Sequence, residues 1–154
     1  MARPQRTLGT LLRLALDALD GDVERAYWEL GLPFRPRFTP ITRLLAEHGP
    51  MRIKELADQA GFSHSAVSQT LSEMRRVGLV EATRGPDGRE RIVHLSRRAE
   101  DLLPELRKQW RRTAAAVASL NGEIGVDLEQ TMDAVLIALG RQSFGARMGS
   151  PGAH

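Results

Sequence analysis

A chain of 154 residues, 42% hydrophobic, has the length of one domain, or of one domain with appended arms, and no apolar run approaches the roughly 20 residues of a membrane-spanning helix. It has no cysteine, which excludes disulfides, thiolate metal sites and thiol redox chemistry. The net charge of +3 is unevenly placed: residues 32–98 hold 12 Lys and Arg against 7 Asp and Glu, while each flank sums to −1. That local excess favours a polyanionic partner.

The N-terminus "MARPQRTLGTLLRLALDALD" is basic and then apolar, but Arg13, Asp17 and Asp20 interrupt the apolar run and no small-residue cleavage site follows. A cytoplasmic protein is therefore expected, not an exported one. Leu8, Leu11, Leu12, Ala15, Leu16 and Leu19 predict a helix over 8–20 ending at Gly21, and a shorter one follows at about 22–30. Pro33 and Pro36 exclude regular structure from "GLPFRPRF". Thr39 then caps a helix with Pro40 at its first position, an apolar stripe of Ile41, Leu44 and Leu45, and a stop at Gly49-Pro50.

Ile53, Leu56, Ala57 and Ala60 mark another short helix, closed by Gly61, and Ser63 caps the next, which runs to Gly78. At about 100° per residue, Ala66, Val67, Leu71, Met74 and Val77 fall on one side of this helix. The other side carries Ser65, Ser68, Gln69, Ser72, Arg75 and Arg76, and the only acid, Glu73, sits at the edge of the polar arc. The period then shortens: "GLVEATR" and "RERIVHLS" are extended and β-branched, joined by "GPDG", which predicts a hairpin. Ser96 caps a long helix to about Asn121, containing Pro104, and a last helix carries Leu128, Met132, Val135, Leu136 and Leu139. The tail from 146 to 154 has nothing to pack and is expected to be disordered.

Three short helices with a tight glycine turn before the third, followed by a hairpin, predict a mainly α winged helix-turn-helix with a two-stranded wing. In that arrangement the third helix enters the major groove of DNA. Small hydroxyls and Gln69 there can hydrogen-bond base edges, arginines meet guanine or phosphate, and acids would be repelled. The cap Ser63 belongs to the same surface. Arg84, Arg89 and Arg91 on the hairpin fit the strong negative potential of a narrow minor groove.

The stretch "MRIKELADQAGFSHSAVSQTLSEMRRVGLVEATRGPDGRERIVHLS" resembles the winged-helix core of the multiple-antibiotic-resistance regulator (MarR) family of bacterial transcription factors. The resemblance covers about residues 8–145 and is carried by the "ELA" helix, the serine-capped third helix, "GLV" entering the wing, and Asp-x-Arg at its tip. It implies that Ser65, Ser68 and Gln69 read bases and that Arg89 is the wing-tip arginine, oriented by Asp87. It also implies a homodimer built from the N- and C-terminal helices, often with a small-molecule effector. Two departures stand out: Asp87-Gly88-Arg89 replaces the common Asp-Arg-Arg, and Lys54 stands where a small capping residue is usual.

The chain is accordingly divided into N-terminal dimerisation helices (1–31), the DNA-binding core (32–98), C-terminal dimerisation helices (99–145) and the tail (146–154). The aromatic residues Tyr27, Trp28, Phe34, Phe38 and Trp110 are the candidates for an effector pocket, with core packing as the ordinary alternative. Arg107, Lys108, Arg111 and Arg112 read as a solvated helix face. His48 falls on an apolar stripe, where a structural role is expected, and His48, His64 and His94 lack ligand-like spacing, so no metal and no cofactor is expected. "SHS" has no base or oxyanion device beside it, which argues against an enzyme. The expected function is that of a dimeric, sequence-specific DNA-binding regulator, a repressor at a pseudo-palindromic operator. Its rivals are a winged-helix protein-interaction module and a nonspecific architectural DNA binder.

Overall fold

The structure, a computed structural model, describes residues 6–149. These fall into two units, one through Gln109 and one from Trp110. In the first, the Thr7 hydroxyl accepts the Thr10 N–H at 3.2 Å and opens helix α1 (Leu8–Glu29). The expected break at Gly21 does not occur. Glycine in a helix interior costs about 1 kcal/mol against alanine, and the helix-forming Leu, Ala, Arg and Glu residues on either side outweigh that cost.

Pro36–Phe38 closes one turn of 3-10 helix, so Thr39 becomes the first residue of α2 (Thr39–His48) and not its cap. The Thr42 hydroxyl instead donates to the Phe38 carbonyl at 2.9 Å, in the core. His48, expected to be structural on the apolar stripe, is exposed in the last turn, 4.0 Å from Glu47. Helix α3 (Ile53–Ala60) starts where the Arg52 N–H donates to the Glu55 carboxylate at 2.9 Å. It stops at Gly61, whose φ of 71° is a left-handed conformation that a side chain would strain. Two residues later Ser63 opens α4 (His64–Arg76), its hydroxyl accepting the Ala66 N–H at 3.1 Å. Val67, Leu71 and Met74 on the inner face of α4 are buried, each such side chain contributing roughly 1.5–3 kcal/mol.

Met51–Arg52 (β1), Val80–Arg84 (β2) and Arg91–Leu95 (β3) form an antiparallel sheet in the order β1-β3-β2. The wing therefore has a third strand that the sequence did not reveal, because two residues carry no readable period. Met51 pairs with Val93 and Arg52 with Ile92, while Val80 faces Leu95 and Arg84 faces Arg91. Helix α5 (Arg97–Ile124) is capped by Ser96, runs three residues past the expected Asn121 and holds Pro104 near its start.

In the second unit, Asp127 caps α6 (Leu128–Arg141) by accepting the Gln130 N–H at 2.9 Å. The tail needs correction. Phe144–Met148 form a short helix, α7, capped by Ser143, and the Arg147 guanidinium donates to the carbonyls of Ala138 at 2.9 Å and Gln142 at 3.2 Å. Those bonds order residues that offer no apolar period, and residues 150–154 of the expected disordered segment lie outside the described residues. No helix among the described residues is long and apolar enough to cross a membrane.

Candidate nucleic-acid interface

The outer face of α4 is built by its cap and its register. With Val67, Leu71 and Met74 turned inward, Ser65, Gln69, Ser72, Arg75 and Arg76 are exposed and Ser68 is half-buried, its hydroxyl 3.5 Å from His64 Nδ1. Ser63 is committed to the cap, leaving its hydroxyl less free to meet a base than the sequence alone suggests. The C-terminal end of α4 is fastened by Ser96, read from the sequence only as the cap of the next helix, and by Arg98, which the sequence did not single out. Ser96 Oγ donates to the Gly78 carbonyl at 2.6 Å while accepting the Ala99 N–H at 3.1 Å. The Arg98 guanidinium donates to the Val77 carbonyl at 2.8 Å, placing a cation at the negative end of the helix dipole.

The wing brings the remaining candidates alongside. A groove of about 220 Å³ between α4 and the sheet is lined by Ser68, Ser72, Arg75 and Arg91 above an apolar floor that includes Leu71 and Val93. A wider one, about 670 Å³, is lined by Arg52, Lys54, His64, Arg89 and Arg91 together with the acids Glu55, Asp58 and Glu90. Arg91 belongs to both, and Arg84 to neither. At the wing turn Gly88 takes a φ of 70°, and the Asp87 carboxylate accepts the backbone N–H of Arg89 at 3.2 Å. Asp87 thus orients the Arg89 backbone, and the guanidinium is left free of it.

Between Ser63 and Leu95 charge is sorted, while Asp58, which lines the wider groove, is in no ion pair among the described residues. All four acids between Ser63 and Leu95 are engaged: Glu73 pairs with Arg37, Glu81 with His94 at 3.3 Å, Glu90 with Arg52 at 2.6 Å, and Asp87 holds the wing turn. Among the described residues, Arg75, Arg76, Arg84, Arg89 and Arg91 are in no ion pair. Arg37 and Arg52 were not singled out from the sequence. Their partners lie on other elements, and only the positive charge of the segment pointed to them.

The aromatic residues expected around an effector sit differently. Tyr27 and Phe34 pack edge to face at 5.0 Å and Phe34 and Phe38 at 5.7 Å, and all three are buried in the core. Trp28 is 79% exposed, and Trp110 belongs to the second unit. A separate cavity of about 240 Å³ behind α4 is lined by Ile41, Phe62, Val67, Arg37 and Asp20 among others. Burial first, and then the charges of Glu24 and Asp17, raise the Asp20 carboxyl above its ordinary value.

Residues 39–96 match a family described as a domain of unknown function (DUF7343). The HTH-type transcriptional regulator MgrA of Staphylococcus aureus is 28% identical over 90 residues, 58% of this chain and 60% of that protein, so the match spans less than two thirds of the relative. Among solved structures, the M. tuberculosis transcriptional regulator MOSR, in complex with DNA, is similar with a TM-score of 0.69 at 20% identity, covering 90% of this chain and 98% of that one. A MarR family regulator from Neisseria meningitidis is similar with a TM-score of 0.56 at 18% identity, covering 87% and 92%. With its serine-capped third helix, its three-stranded wing and the helices that flank them, this chain shares the winged-helix fold of these solved regulators.

Proposed function

We propose that the chain is a transcriptional regulator that binds double-stranded DNA sequence-specifically as a homodimer, acting in the cytoplasm as a repressor at a pseudo-palindromic operator. The observation that carries this reading is the sorted charge of α4 and the wing, with five uncommitted arginines and four committed acids. Uncommitted guanidiniums beside small hydroxyls and Gln69 match what a groove offers: phosphates along its walls and hydrogen-bonding base edges on its floor. The likeness to MOSR, solved on DNA, supports the same reading.

A second copy of the chain is the natural cover for the apolar helices. Leu8, Leu11, Leu12, Leu14, Leu16 and Leu19 of α1 are 45–69% exposed, and Val135, Leu136 and Ile137 of α6 are 42–66% exposed. Apolar surface on that scale marks an interface. Two-fold symmetry then places two recognition helices on half-sites related by the same axis. Repression follows when a dimer occupies DNA that the polymerase needs.

The test is selection of bound sites from random DNA by the purified chain, with affinities measured at two salt concentrations. A two-fold related motif whose binding weakens steeply with salt is expected. Salt-sensitive binding without a motif would indicate an architectural binder, and no DNA binding at all would indicate a protein-interaction module. Either result overturns the proposal.

A further inference from the structure

The acids on the α4–wing surface raise a physical difficulty. Glu73 lies about one helical turn, roughly 6 Å of rise, beyond Gln69, and Glu90 stands between Arg89 and Arg91. Both distances are shorter than the Debye length of about 8 Å at physiological salt, so an unneutralised carboxylate at either place would repel a phosphate backbone docked there. Each is met by an arginine from another segment of the chain, and Arg52 itself lines the wider groove. Arg37, in the 3-10 turn before α2, pairs with Glu73, whose side chain is only 20% exposed. Arg52, in β1, places Nε 2.6 Å from Glu90 Oε2 and Nη1 3.7 Å from Glu55 Oε1. The Glu90 carbonyl in turn accepts the Gly85 N–H at 2.8 Å, closing the wing turn.

We propose that Arg37 and Arg52 are positioning residues for DNA binding that act by neutralising Glu73 and Glu90 on the docking face. This rests on the DNA-binding reading above and deepens it. The two pairs differ from ordinary structural ion pairs in one consequence. If a pair serves only the fold, loss of either partner has the same sign. If it masks an acid, the two losses have opposite signs on DNA affinity.

The experiment measures binding of the full-length chain to a random-sequence duplex across a salt series, each variant accompanied by a thermal melt. Arg37→Ala leaves Glu73 bare and should weaken binding by about threefold to tenfold at low salt, with the defect shrinking as salt rises. Glu73→Gln should bind at least as tightly as wild type, and Arg37→Ala with Glu73→Gln should return to within about twofold of it. Arg52→Ala and Glu90→Gln should repeat the pattern in the wing. Arg25→Ala, which breaks the exposed Asp22–Arg25 pair of α1, should change little.

Weaker binding by Glu73→Gln and Glu90→Gln, matching their arginine partners, would overturn the proposal, as would an equal loss in Arg25→Ala. Should Arg37→Ala fail to fold, Glu73→Gln and the Arg52–Glu90 set decide the question. A wild-type chain with no salt-dependent DNA binding overturns the functional reading and this inference together. Wild-type binding with the wrong sign pattern overturns this inference alone.

Discussion

Arg84 and Arg91 stand directly opposite each other at the outermost register of the wing hairpin. Like charges directly opposite each other destabilise a sheet. Neither has a carboxylate partner among the described residues, so the repulsion persists until a polyanion relieves it. If the wing meets DNA as proposed, binding offsets that cost to the fold.

Arg84→Thr should therefore move two quantities in opposite directions. The melting temperature should rise slightly, because threonine removes the repulsion and favours the strand. DNA affinity should fall and its salt slope should drop by about 1. Melts alongside titrations at several salt concentrations check both. A variant that is less stable and binds as well as wild type would show that the pair has no role at the interface.

Gln69 is exposed on α4, apart from the buried Val67, Leu71 and Met74. Gln69→Ala should leave the melt unchanged and remove discrimination of roughly 1–3 kcal/mol at one base pair in each half-site. Repeating the site selection with the variant reads this directly. An unchanged motif would exclude Gln69 from base reading.

Ser63 acts through its cap. Ser63→Ala removes the acceptor for the Ala66 N–H and should cost roughly 0.5–2 kcal/mol of stability. Ser63→Asp should restore most of the stability, because aspartate caps as well, while adding an acid at the DNA-facing end of α4. Chemical denaturation of both variants, paired with DNA titration, separates stability from affinity: the expected result is recovered folding with weakened binding.

Leu16 of α1 and Leu136 of α6 are 56% and 66% exposed. Leu16→Glu and Leu136→Glu should each shift the sedimentation profile from dimer toward monomer and reduce affinity for a two-half-site duplex more than for a single half-site. Intact wild-type chain that sediments as a monomer at micromolar concentration would sink the dimer.

Asp20 gives the fold a pH signature. Its carboxyl is raised in the folded state by burial and by Glu24 and Asp17, so the folded chain holds that proton more tightly than the unfolded one. Stability therefore falls as pH rises from the ordinary value of 3.8 through the raised one, where the ionised group opposes folding. Asp20→Asn should raise the melting temperature at neutral pH, and the gain should shrink as the pH is lowered. A melting difference that grows toward acid would have the wrong sign.

What the sequence by itself determined was local. Ser63 and Ser96 were readable as caps because a cap bond spans three residues, the α4 apolar face because its period is printed in the chain, and the wing because Gly-Pro-Asp-Gly separates two β-branched runs. The tertiary structure decided everything that joins distant segments. Helix α1 continues through Gly21, Met51–Arg52 joins the wing as a third strand, and Tyr27, Phe34 and Phe38 stack in the core. Likewise, which arginines pair with acids is settled by Arg37 reaching Glu73 and Arg52 reaching Glu90. A composition counts those charges alike, because pairing depends on which elements the buried core brings side by side.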